Sequence, residues 1–155
     1  MNPYRLLACT RSGKLLMFTA WSRCGCRPGK GALRHAGGWQ LRQEEKVAKL
    51  VQWFVKAALR HAEAIEALQE EVAAGQVVDL DRFYLALKRE GGMEHFLLLL
   101  DHENPAISGM TAVYAMREAP GRCAEVLCRL AQMPGLIGFR AQAALDRWES
   151  GEWPR

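Results

Sequence analysis

Two histidines seven residues apart, His95 and His102, come closest in this sequence to an acid-base or metal constellation, with Asp101 and Glu103 beside the second. Seven residues are two helical turns, so both rings would share one face. An imidazole pair next to carboxylates could hold a divalent ion or move a proton. A solvated helix end explains the same residues, with His102 as a cation complementing the helix C-terminus, and this plainer reading is adopted. His61 and Glu63, two apart on a helix, diverge. The pairs Glu70-Glu71 and Asp79-Asp81 border an expected loop and read as caps and solubilising charges. Cys24-Gly25-Cys26, with Cys9 and His35 in the same segment, is spaced by one residue where structural zinc sites use two to four, and no second pair follows. Cys123 and Cys128, five apart on an expected helix, point to different faces and read as small packing groups. Arg27-Pro28-Gly29-Lys30-Gly31 lacks the full phosphate-loop pattern and a strand before it. No Ser or Cys stands in a nucleophile turn. The expectation is therefore a chain that is not an enzyme, with no metal and no cofactor.

The charge of the chain is divided more sharply than its net +4 conveys. Residues 1–43 hold eight Lys or Arg and no acid, whereas the rest holds 13 basic and 17 acidic side chains. Residues 1–43 therefore read as a basic, Gly- and Arg-rich leader outside the fold, and residues 44–153 as a mildly acidic domain. Without a periodic apolar face the leader cannot offset the entropy of being ordered. Three further readings stay open for it. Leu15 to Trp21 is a short apolar run between Lys14 and Arg23 that a signal peptide could use, the composition fits an organellar transit segment, and Tyr4, Trp21 and Trp39 among basic residues could stack on nucleic-acid bases. Five cysteines, an odd number in no framework, argue for a reducing compartment, and the expected location is cytoplasmic. No apolar run approaches the roughly 18 to 20 residues that span a bilayer, so no membrane association is expected.

What must position any functional side chain is a set of helices. Val47, Leu50, Val51, Phe54, Ala58, Ala62, Ile65, Leu68 and Val72 recur at steps of three and four, predicting one helix over 44–74 that stops at Gly75 and bends near Arg60 and His61. Asp79 or Asp81 would cap the next, with Phe83, Tyr84 and Leu87 inward and Gly91-Gly92 ending it. A third helix is expected over 93–102. Asn104-Pro105 opens a fourth, over 105–118, which has almost no charge and so must be enclosed by neighbours. Pro120 opens a fifth, whose Arg122, Glu125, Arg129 and Gln132 form an outward face that compensates itself. The sixth runs over 138–150 and stops at Gly151, with Ala141, Ala144, Leu145 and Trp148 inward. With no convincing strand, helix packs on helix.

Residues 92–118 and 120–150 share a layout: an amphipathic helix, a tight turn, then an Ala-rich helix. The segment from Leu97 to Ser108, Thr111-Ala112, Ala119-Pro120, Pro134-Gly135-Leu136, Gly138-Phe139 and Trp148 is similar to HEAT-type and armadillo-type repeats. It most resembles a small bacterial HEAT-like family known only as a domain of unknown function, over about residues 45–153. HEAT repeats ordinarily carry Arg where Ser108 stands, so the ion pair between repeats is not expected here. The resemblance implies an all-α fold, a short right-handed stack of antiparallel helical hairpins, acting as a scaffold or protein-binding module.

Arg140 and Arg147, seven apart with Ala143 between them, have no acid placed to pair both. In a HEAT-like pair the second helix ordinarily lines the concave side, so these residues are the candidate partner site, suited to an acidic protein surface. His95 and His102 form the secondary candidate. The function expected is a non-catalytic protein-interaction module that neutralises or regulates a partner. The alternatives are a nucleic-acid-associated helical-repeat protein using residues 1–43, and an enzyme of unrecognised type.

Overall fold

A computed structural model describes residues 36–153, and the fold is all-helical. The expectations resting on Tyr4, Cys9, Trp21, Cys24, Cys26, residues 27–31 and His35 lie outside the described residues, as does the Trp39 side chain. The elements are α1 (Ala36–Glu66), α2 (Glu70–Arg89), α3 (Met93–Leu97), a 3-10 turn (Leu98–Asp101), α4 (Pro105–Ala115), α5 (Pro120–Ala131) and α6 (Leu136–Ser150). Among the described residues no helix is long and apolar enough to cross a membrane.

The first helix differs most from its expected course. It starts at Ala36, inside the segment expected to precede the fold, and ends at Glu66 after 31 residues, a rod of about 46 Å. The chain then reverses through Ala67, Leu68 and Gln69. The Gln69 N–H donates to the Ala64 carbonyl (2.8 Å) and the Leu68 N–H to the Ile65 carbonyl (3.1 Å), with Leu68 left-handed at φ 56°. This is the Schellman termination, with leucine at the position glycine usually holds. Consequently Gly75 is not a stop; it lies inside α2, with open space where a Cβ would be. Asp79 and Asp81 are likewise interior to α2 instead of capping it. Asp79 pairs with Arg82 (3.5 Å), and Asp81 accepts from the Tyr114 hydroxyl (2.7 Å). Glu70 and Glu71 occupy the first turn of α2, where the helix dipole favours anions. Gly75→Ala should therefore raise stability by about 0.5 to 1 kcal/mol, read as a higher urea midpoint, because only the backbone entropy of glycine is removed.

α1 and α2 form an antiparallel hairpin. The Trp53 and Phe83 rings meet at 5.7 Å along its length. At the open end Lys46 pairs with Glu90, and the Gln43 amide donates to the Glu90 carbonyl and carboxylate, each at 2.9 Å. The core continues through an aromatic cluster from four helices. Phe54 of α1 packs edge-on against Phe96 of α3 (4.7 Å) and Tyr114 of α4 (5.5 Å), and Tyr84 of α2 touches both Phe96 and Tyr114.

α4 is enclosed, as its lack of charge requires: Ile107, Ser108, Thr111, Ala112 and Ala115 are buried. Asn104 caps it, accepting from the Ala106 N–H at 2.9 Å, with Pro105 in the first turn. Its buried hydroxyls bond within the helix, Thr111 to the Ile107 carbonyl (2.8 Å) and Ser108 to the Asn104 carbonyl (3.4 Å). α5 turns Cys123, Val126, Leu127 and Leu130 inward against Ala141, Ala144 and Leu145 of α6. The face of α5 is not self-compensating. Arg122 reaches instead to Asp101 (3.2 Å) and the Leu97 carbonyl (3.4 Å), tying α5 to the 3-10 turn. Trp148 is half-buried and packs edge-on against Trp153 (5.9 Å), so it closes the edge of the core and is not central to it.

Two carboxylates lock these layers. Burial pushes the Glu118 pKa up, but hydrogen bonds from Lys88 (2.7 Å) and Tyr84 outweigh it and hold the group below the usual carboxylate value. Glu90 is held low chiefly by hydrogen bonds from Lys46 and Gln43. A carboxylate with a depressed folded-state pKa stabilises the fold at neutral pH and surrenders that contribution as pH falls through the folded value. The urea midpoint should thus drop between pH 7 and pH 3, and Glu118→Gln should narrow the drop.

Candidate functional site

The helices leave a cavity of about 660 Å³ between the C-terminal half of α1 and the inner side of α6, floored by α4 and α5. Its floor is apolar because α4 presents Gly109, Met110 and Val113 there and α5 presents Leu127 and Leu130. Glycine at 109 keeps α4 close to α5, since a Cβ would lie 3.1 Å from the Leu130 side chain. The α1 wall carries Ala58, His61, Ala62 and Ile65, with the exposed carboxylates Glu63 and Glu66. The α6 wall carries Ile137, Arg140, Ala143, Ala144 and Arg147, and Trp153 also lines the cavity.

The candidate residues Arg140, Arg147 and Ala143 all lie on this α6 wall. Neither arginine makes an ion pair among the described residues. Burial disfavours the charged guanidinium of Arg140 and lowers its pKa. Opposite stands His61, only 5% exposed, whose Nδ1 is shut from solvent without a hydrogen-bond partner. Burial lowers its pKa, and the Arg140 charge lowers it further, so the imidazole is neutral at pH 7. Sequence reasoning passed over His61 because it asked only whether Glu63 could reach it. The available signal was its register: His61 falls seven residues after Phe54 and three after Ala58, where the stripe calls for an apolar side chain.

His95 and His102 are not brought together as a site. Both are exposed, and His102 lines a separate hollow of about 300 Å³ with Glu103, Ser108 and Arg129, which His95 does not reach. The His102 Nδ1 accepts the Asn104 N–H at 3.0 Å, beside the N-terminus of α4. Among the described residues no group of three or more His, Cys, Asp or Glu is gathered closely enough to hold a metal ion. Cys123 is buried, which pushes its thiol pKa up to about 11, while Cys128 is exposed on the other side of α5.

The cavity can therefore enclose an apolar group and present Arg140 with the His61 imidazole, and Arg147 separately, to anionic groups. No family model, curated protein or solved structure matches the chain.

Proposed function

We propose that this chain is a non-catalytic protein-interaction module, a short HEAT-like stack of helical hairpins whose groove between α1 and α6 receives an acidic, apolar-faced segment of another protein. The observation that carries this reading is the pair Arg140 and Arg147, without ion pairs, on one wall of an apolar-floored groove. Arginine is favoured at binding hot spots because its planar fork meets carboxylates with two hydrogen bonds. Both guanidinium groups reach solvent, Arg140 gives up part of its hydration against the groove wall, and an acidic partner compensates that loss. The hairpin-stack reading draws support from α1 lying along α2 and from α4, α5 and α6 each packing on its chain neighbour. The odd number of cysteines suits a reducing, cytoplasmic setting.

The test is capture from native lysate by the wild-type chain and by the Arg140→Glu/Arg147→Glu variant, with and without nuclease. A discrete protein band is expected from wild type, fading as salt rises. It should be lost, by about tenfold or more, with the double variant, whose thermal midpoint stays unchanged. Equal capture by the variant removes this groove from consideration, and a nuclease-sensitive smear transfers the function to nucleic-acid association.

A further inference from the structure

We propose that the same cavity is a site for a small aliphatic carboxylate, its head group held between Arg140 and His61 and its chain lying over Met110, Val113, Leu127 and Leu130. This goes beyond docking of a protein, since it requires no partner chain. Three independent features converge on it.

The first is shape and lining. About 660 Å³ lies within the 300 to 1,000 Å³ span of small-molecule sites, which are apolar with a few polar groups that fix orientation. An alkyl chain is the complement of a floor built from Gly109, Met110, Val113 and two leucines.

The second is His61. A polar side chain 5% exposed, with a sealed and unpartnered ring nitrogen, is an exception that native folds seldom carry without a use. His61 lines the cavity and its Nε2 is not sealed in this way, so the ligand contact is assigned to Nε2. In the neutral ring one nitrogen donates and the other accepts. With the proton on Nε2, only a lone pair is stranded at Nδ1, and the N–H is free to donate to a ligand oxygen.

The third is Arg140, whose charge disfavours protonation of His61 and which has no carboxylate partner of its own. A carboxylate between the two accepts hydrogen bonds from both and offsets the positive charge that Arg140 places beside His61. Glu63 and Glu66, the acids lining the cavity, stand exposed on the α1 side, and neither pairs with Arg140. Arg147 lies two turns further along α6, about 10 Å from Arg140 by helical rise, and does not share the same head group. The carboxylate site therefore needs one arginine where the protein-binding reading needs two.

The probe is octanoate, titrated into the full chain by calorimetry and followed by the His61 ring resonances, with 1-octanol and octylamine as controls. Octanoate should bind saturably at one site and move the His61 signals, with octanol weaker by about tenfold or more and octylamine showing no saturation. Arg140→Gln should weaken octanoate by about tenfold, whereas Arg147→Gln should leave it within about twofold. Both side chains are exposed enough for the variants to fold, which their thermal midpoints verify. Octanol binding as tightly as octanoate, equal losses from the two glutamine variants, or no saturable binding would each overturn the proposal. Loss of the carboxylate site with retention of Arg140/Arg147-dependent protein capture leaves the proposed function standing, and the reverse outcome leaves the carboxylate site standing.

Discussion

Gly138→Ala is expected to destabilise the protein by about 3 kcal/mol, the upper part of the range for forcing atoms into packed space. Gly138 is buried in the first turn of α6, and its backbone φ is not positive, so conformational freedom is not the reason glycine is required. The reason is proximity. A Cβ there would lie 1.9 Å from the Met133 carbonyl oxygen, 3.0 Å from its carbon and 3.3 Å from the Ala131 oxygen. These are backbone atoms of the turn leaving α5, and they cannot swing aside as the end of a flexible side chain can. The turn is pinned as well, because the Met133 N–H donates to the Leu130 carbonyl at 2.9 Å. To admit the methyl group, α6 must move off α5, separating Leu127 and Leu130 from Ala141 and Ala144 and carrying Arg140 away from His61. Urea unfolding should show a large fall in midpoint, and both the capture and octanoate experiments should weaken. A midpoint within the error of wild type would show that the α5–α6 turn can yield.

Phe96→Ala should cost about 3 to 5 kcal/mol, as deletion of a wholly buried aromatic does. Phe96 has no exposed surface and meets Phe54 at 4.7 Å and Tyr84 at 5.5 Å, so its removal opens a cavity among α1, α2, α3 and α4 at once. The neighbours cannot collapse easily, since Tyr114 is held by its bond to Asp81 and Lys46 clasps Glu90 at the open end of the hairpin. A double-mutant cycle of Phe96→Ala with Phe54→Ala should return a coupling of about 1 kcal/mol, the edge-on ring contact beyond area burial. Trp148→Ala should cost less than Phe96→Ala because Trp148 is only half-buried. The opposite order would place the centre of the core at the α6 edge. Both are read from urea midpoints with the slope held in common.

Most of the helical plan was legible because its signals are local. Asn104-Pro105 and Ala119-Pro120 open α4 and α5, and Gly151, left-handed at φ 77°, ends α6. Each acts within a few residues through a missing N–H, a side-chain cap or freedom from a Cβ, so sequence alone determines it. The enclosure of α4 was legible too, since a helix without charge has no face to offer water.

Tertiary packing decided what the local signals left open or misdirected. Gly75 looked like a stop but continues α2, while Leu68, with no local preference for the left-handed region, makes the reversal. The reversal lets Leu80 and Leu87 enter the core and Phe83 meet Trp53, and that burial outweighs both a strained leucine and a mid-helix glycine. Arg122 likewise chose Asp101 over Glu125 because folding brought the 3-10 turn within reach. For the candidate site, the unpaired arginines of α6 could be found in the sequence, since their spacing and the lack of an acid three or four residues from either are local facts. The apposition of Arg140 to His61 could not, because residues far apart in the chain meet only after α1 and α6 have both packed over α4.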